Sequence, residues 1–360
     1  MTAPRTVHVV MPGDVDDPAV PSGGNTYDRR LCGGLVAAGW VVGEVAVAGS
    51  WPHPGTAARA ELAGALAALP ARALVLLDGL VACAVPEILA AEAGRLRLVV
   101  LVHAPLGAES GLDAAATADL EDRERRALRA AAAVLVTSAW GGRWLVDHHR
   151  LPETRVHVAP PGVDPAPLAP GTDGASRLLC VASVTHRKGH DVLVEALARL
   201  SGLAWTCECV GALSRDPGYV AGVRRLIGAY RLGGRVRLAG PRTAAKLAAT
   251  YAAADLVVLA SRAETYGMVV TEALARGIPV LATGVDGVPE ALGRGGDGGL
   301  PGTLVPPGDP AALAVALRAW LTDPRLRDRL RAAARDRRAT LAGWEVTSRA
   351  VSGVLAAVGT

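Results

Sequence analysis

The sequence contains no phenylalanine, and tryptophan and tyrosine supply the 3% of its 360 residues that are aromatic. A nucleic-acid binder would more often set base-stacking aromatics on a concentrated basic stripe. Net charge is only +4 and the pI is near 9.0, so no nucleic-acid polymer is expected as a partner. Arginines gather at Arg325, Arg327, Arg329, Arg331, Arg335, Arg337 and Arg338, but acidic residues are mixed among them and the spacing suits a solvated helix face. No apolar run reaches about 18 residues, so no membrane span is expected. The N-terminus enters a strand pattern directly, without the basic-then-apolar signature of a signal peptide. The five cysteines, Cys32, Cys83, Cys180, Cys207 and Cys209, are odd in number and lack metal-ligand spacing. Cys207 and Cys209 fall in a strand-like run, 203–210, where both share a face with Trp205, and buried apolar thiols are the reading. A cytoplasmic, reduced, globular protein is the expectation.

Other signatures are missing too. There is no Walker A sequence and no G-x-S-x-G elbow. Gly293-Arg-Gly-Gly-Asp-Gly298 spells G-x-G-x-x-G, but no strand leads directly into it and no helix follows, so it reads as a loop. Asp14 and Asp16 form an acidic pair in the first loop and are not expected to hold a metal.

What is present is an alternation of strands and helices. Apolar runs at 7–11, 40–47, 74–77, 96–102 and 134–137 read as strands, with helical stretches such as 26–38 and 119–132 between them. That alternation predicts βαβ units and a parallel sheet. Residues 159–170 hold five prolines, which no helix or central strand tolerates. A second series follows, with strands at 178–182, 257–259 and 280–282. The fold class is α/β, two doubly wound Rossmann-like units joined by a proline-rich hinge.

Chemistry concentrates at Glu264-Thr-Tyr-Gly-Met-Val-Val-Thr-Glu272. Two carboxylates flank a change from loop to helix, with Gly267 at the change. Unpaired N–H groups and a partial positive charge at a helix start can hold a phosphate. One carboxylate precedes that start, and the other is expected about two turns in, roughly 10 Å further on. One element could then meet sugar, diphosphate and ribose of a nucleotide-sugar.

This stretch resembles the Glu-x7-Glu motif of the retaining GT-B glycosyltransferases of family 4, also described as glycosyl transferases group 1. Gly277-Ile-Pro-Val280 and Gly287-Val-Pro-Glu290 look like the family's usual sequel. The resemblance covers nearly the whole chain and is strongest over 178–310. It implies a GT-B fold: residues 1–165 as acceptor domain, 166–343 as donor domain, and 344–360 crossing back onto the first, with Trp344 at the crossing. Chemistry would occur in the cleft between the domains.

The resemblance also assigns roles. Glu264 would contact sugar hydroxyls and Glu272 the ribose. Arg187 and Lys188, in Ser183-Val-Thr-His-Arg-Lys-Gly189, match the family's basic pair on the diphosphate, where cations stabilise a developing leaving group. Ser183, Gly267, Met268 and Val269 would add donor contacts. Many relatives carry Gly-Arg where this chain has Ala182-Ser183, so one phosphate contact is missing or falls to Arg187. Gly23 and Gly24 would form a loop near the donor phosphate. His103 would face the transferred sugar, since strand C-termini line the crevice in such sheets. Asn25 and Asp28 are candidates for the acceptor. The implied partners are a nucleotide-sugar, UDP favoured over GDP, and an acceptor the sequence does not name. No cofactor and no metal are expected. A phosphorylase or epimerase of the same architecture, or a non-catalytic nucleotide-sugar-binding protein, are the alternatives. Oligomeric state is not legible.

Overall fold

Runs apolar on both faces make strands that are covered on both faces. The computed structural model describes residues 5–108 and 111–360. Twelve strands are seen among them: β1 (Thr6–Pro12), β2 (Val41–Val47), β3 (Leu74–Asp78), β4 (Arg97–Val102), β5 (Ala133–Val136), β6 (Val156–Val158), β7 (Arg177–Val181), β8 (Thr206–Val210), β9 (Val236–Gly240), β10 (Leu256–Leu259), β11 (Val280–Thr283) and β12 (Gly302–Val305). Every residue of β3, β5, β10 and β11 is buried. The strands form two six-stranded sheets, ordered β2-β1-β3-β4-β5-β6 and β12-β11-β10-β7-β8-β9. All pairings are parallel.

Strand order decides where ligands can go. In an open doubly wound sheet the crevice opens at the carboxyl ends of the two strands where the order reverses. In the first sheet those strands are β1 and β3; in the second they are β7 and β10. The expected α/β class is therefore what is observed. Boundaries differ by a few residues. The first helix starts at Gly23 and runs to Ala37, so Gly23 and Gly24 lie in a helical first turn instead of a loop. Residues 159–170 carry no helix or strand, and 293–298 have neither ahead of β12. No helix among the described residues is long and apolar enough to cross a membrane.

The chain divides into two units. One takes in residues up to Asp17, then Gly23–Gly162 and Gly343–Thr360; the other takes in Pro18–Ser22 and Val163–Ala342. The short segment before the first helix thus clusters with the second unit, which the sequence did not suggest. Each unit has apolar clusters on both faces of its sheet.

The helix Trp344–Gly359 closes one face of the first unit. Its Val351 and Leu355 are fully buried with Tyr27, Leu31 and Leu35 of the first helix. Polar contacts fix its register: Thr347 donates to the Pro160 carbonyl at 2.7 Å, and Trp40 Nε1 donates to Ser352 Oγ at 2.8 Å. Trp344 stands edge-on to Tyr27, centroids 5.5 Å apart, and the Tyr27 hydroxyl donates to the Ala159 carbonyl. Leu355→Ala is expected to cost about 2–5 kcal/mol in urea unfolding, by lost transfer energy and a cavity. Val346→Ala, on the exposed side of the same helix, should stay within about 0.5 kcal/mol.

Candidate active site

In the second unit the crevice is built by the segments after β7 and β10. A short 3-10 turn, His186–Lys188, follows β7. Gly189 then takes φ +65°, and a Cβ there would lie 2.0 Å from the Ala260 carbonyl oxygen. Only glycine lets this turn lie flat against the end of β10. The contact brings Lys188 Nζ onto the Glu264 carboxylate in a short, largely buried ion pair.

The surroundings hold that pair in place. Glu264 N–H donates to Asp286 Oδ2 at 2.8 Å, and Gly287 N–H donates back to the Glu264 carbonyl. Arg187 Nη1 donates to the Ala263 carbonyl at 3.0 Å, and Arg262 N–H donates to the Arg187 carbonyl. Arg262 forks onto both oxygens of Asp191 at 2.8 and 2.7 Å. Burial alone would raise the Glu264 pKa; the charges of Lys188 and Arg187 overcome it and hold the carboxyl below its usual value. Burial lowers the pKa of Lys188, and Glu264 offsets only part of that. Ser183 sits just past β7, where its carbonyl accepts from Thr185 N–H.

Gly267, at φ +92°, precedes the helix Met268–Leu274. Met268 and Val269 form its first turn, where backbone N–H groups have no intrahelical partner. The helix starts just past Gly267, where the sequence places the change, but Glu272 follows Met268 by only about one turn, not the two expected. It accepts from the Tyr251 hydroxyl at 2.7 Å. Burial holds the Glu272 carboxyl above its usual range against the pull of Tyr251 and Arg276. Arg276 stacks over the Tyr251 ring, 4.5 Å from its centroid. Tyr266 packs against the same apolar cluster as Tyr251.

In the first unit the crevice strands bring together three groups. His103 follows β4, Asp78 ends β3, and Asp28 lies on the first helix. His103 Nε2 is 2.8 Å from Asp28 Oδ1 and 3.6 Å from Asp78 Oδ2. Both carboxylates are almost fully buried. Gly24 makes room for this cluster, since a Cβ would come 3.1 Å from the His103 ring. The sequence suggested an approach to phosphate at Gly24; the neighbour seen there is the imidazole. Asp28 likewise faces His103 in place of an open acceptor surface. Asn25 is half-buried and donates to the Asp14 carbonyl at 3.2 Å. Asp16 is forked by Arg29, which also meets Glu44.

Asp78 was not singled out by sequence reading. It caps its own short helix, accepting from Leu80 N–H at 2.5 Å. Burial pushes its pKa up to about 8, with Asp28 adding to the rise and His103 opposing it. For His103, burial works against the charged ring, but Asp28 and Asp78 prevail and raise the value to about 9. Oxygen and nitrogen atoms of Asp28, Asp78 and His103 lie within 4.8 Å of one another, close enough to hold a cation between them.

Two doubly wound α/β units, each with charged groups at its strand-order reversal, define the GT-B architecture. Residues 171–337 match the family Glycosyl transferases group 1, and residues 21–167 match Glycosyltransferase Family 4. The chain belongs to the group 1 glycosyltransferases of GT-B fold. It is similar to the D-inositol 3-phosphate glycosyltransferase 1 of Catenulispora acidiphila, 35% identical over 56% of this chain and 51% of that one. A protein of the same description from Pseudarthrobacter chlorophenolicus is 34% identical over 62% and 56%. The matched region thus spans about half the length of these relatives. In fold it is similar to the sucrose-phosphate synthase of Thermosynechococcus elongatus, with a TM-score of 0.79, 24% identity and 98% of each chain covered. It also resembles Anabaena HepE in complex with UDP-glucose, with a TM-score of 0.77, 18% identity and 98% and 99% covered.

The His103 cluster yields a pH prediction. His103 and Asp78 both bind their protons more tightly in the folded chain than in the unfolded one. The stability they contribute is complete below their ordinary values and is lost as pH rises through about 8 and 9. Titration of the His103 Cε1–H resonance is expected to give a midpoint near 9. In Asp28→Asn it should fall toward about 6.5. An unchanged midpoint in that variant would refute the assignment.

Proposed function

We propose that the protein transfers a sugar from a nucleoside-diphosphate sugar, UDP in preference to GDP, to an acceptor hydroxyl with retention of anomeric configuration. The observation that carries this reading is the buried Lys188–Glu264 pair at the strand-order reversal of the second unit. Arg187 beside it and Glu272 one helical turn beyond Gly267 complete a site suited to a nucleotide-sugar. That HepE was solved with UDP-glucose supports the choice of donor.

Each group then has a task set by its charge. The Glu264 carboxylate accepts hydrogen bonds from sugar hydroxyls. Lys188 and Arg187 face the diphosphate and stabilise the charge that grows on it as the glycosidic bond breaks. Preorganised cations in a water-poor site do this at little reorganisation cost. Glu272 accepts from a ribose hydroxyl while Tyr251 holds it. A phosphate oxygen of the departing diphosphate takes the acceptor proton, so no side chain serves as nucleophile. In the first unit a charged His103 donates to a sugar hydroxyl, and Asn25 lies among the residues that meet the acceptor. No metal is required at the diphosphate, because the basic pair fills that role. The names of the relatives make a cyclitol phosphate the first acceptor to try.

Binding is tested by thermal unfolding with UDP, GDP, ADP and TDP, each with and without magnesium. UDP at 100 times its Kd should add about 2.7 kcal/mol of stability, with no need of metal. A shift confined to magnesium-containing samples would overturn the metal-free reading. Catalysis is tested with UDP-glucose and D-inositol 3-phosphate, scoring release of UDP and the anomeric signal of the product. Lys188→Ala and Glu264→Ala are expected to lower kcat by about 10²-fold or more while the purified variants remain folded. Sugar 1-phosphate or an isomerised nucleotide-sugar as product would favour the phosphorylase or epimerase alternative.

A further inference from the structure

Beneath the Lys188 turn lies a second group of donors that the proposed transfer does not use. Cys180 of β7 and Cys209 of β8 are register partners on adjacent parallel strands. His190 opens the helix His190–Ala198 that lies over the same face. All three are about 1% exposed. The two Sγ atoms and an imidazole nitrogen lie within 4.8 Å of one another, and Cys180 Sγ is 3.7 Å from His190 Nε2. Cys207, two residues before Cys209 and also buried, sets its thiol against that of Cys209.

His190 is hard to explain as a core residue alone. Its Nδ1 has no hydrogen-bond partner although it is buried, and Nε2 meets only the sulfur of Cys180. A buried imidazole without an oxygen or nitrogen partner loses hydration that nothing restores. A cation held between Nε2 and the sulfur would replace that weak contact with two bonds, while Nδ1 would keep no partner. Two thiolates and an imidazole suit a soft or borderline closed-shell ion. Zinc bonds sulfur at about 2.3 Å and histidine nitrogen at about 2.0 Å; at the tetrahedral angle these set sulfur and nitrogen about 3.5 Å apart, close to the 3.7 Å here. A structural zinc site is four-coordinate and closed to water; Cys207, beside Cys209 but outside the 4.8 Å group, would have to shift inward to complete it.

We propose that Cys180, Cys209 and His190, closed by Cys207, form a buried zinc site that pins the Lys188–His190 turn to the central strands β7 and β8. Each ligating thiol gives its proton to solvent as its bond to zinc forms, and no atom changes oxidation state. Affinity therefore falls as pH falls. The effect on the molecule is local. His190 is two residues from Lys188, so fixing the imidazole fixes the turn that carries the ammonium group. The proposal stands whether or not the chain transfers sugar, because its test reads metal and not turnover.

The full chain, expressed with added zinc and purified without chelator, is assayed for metal by mass spectrometry. After metal removal it is titrated with cobalt(II) alone. One zinc per chain is expected, and cobalt should give the thiolate charge-transfer and visible bands of a tetrahedral sulfur site. Cys209→Ser should lose both, while Cys32→Ala, in the other unit, should keep them. Should Cys209→Ser fail to fold, Cys207→Ala retains three donors and is expected to weaken zinc binding by about 10–100-fold against a chromophoric chelator. A folded wild-type chain without zinc and without cobalt bands would overturn the proposal. So would undiminished zinc affinity in Cys207→Ala together with retention of zinc in Cys209→Ser.

Discussion

An ammonium group taken out of water is unfavourable by several kcal/mol unless a carboxylate meets it with good geometry and further hydrogen bonds complete the shell. Lys188 and Glu264 meet that condition, and much of the second unit is arranged so that they can. The two residues are 76 positions apart. They come together because β7 and β10 are neighbours at the reversal of strand order. Gly189 removes the side chain that would hold the two loops apart, Asp286 fixes the Glu264 backbone, and Arg262 ties its loop to Asp191 on the next helix. Removing one partner leaves a charge that has no compensation, which is why the arrangement is so heavily braced. The same bracing leaves a charged pair ready to exchange one partner for an incoming anion or hydroxyl.

The first unit solves a related problem with the signs inverted. Burial and the neighbouring Asp28 keep a proton on Asp78 against the pull of His103, while the two aspartates favour the charged form of the His103 ring. Strand topology again makes the meeting possible: Asp78 ends β3, His103 follows β4, and Asp28 is on the helix that follows β1. In both units, chemistry collects where parallel strands diverge, because only there do neighbouring loops part and leave room for groups from several elements.

Much of this was written in local sequence. The alternation of apolar runs gave the α/β class, the prolines of 159–170 marked the break, and Glu264, Lys188 and His103 stood in recognisable surroundings. Residues whose role comes from tertiary pairing were not legible. Asp78 closes an otherwise apolar strand, and a carboxylate at the carboxyl end of a crevice strand was the signal that could have revealed it. Asp28 read as a surface candidate because nothing local says that its helix face turns inward to a histidine 75 residues away. Cysteines 180 and 209 lacked metal spacing for the same reason: strand pairing, not sequence interval, sets them side by side. Part of the interval between Glu264 and Glu272 lies in the loop before Met268, which leaves Glu272 only about one turn into the helix.

The helix Trp344–Gly359 has a consequence for how the chain is made. The strands it covers are synthesised before residues 163–342, and those residues in turn before the cover exists. During that interval the face around Leu31 and Leu35 lacks its partner, while the second unit, continuous apart from Pro18–Ser22, can already assemble. Contacts between segments so distant in sequence are slow to form, and exposed apolar faces invite association in the meantime. The first unit is therefore the one that finishes folding last, so the growing chain carries its own window of vulnerability to chaperones, proteases and its neighbours.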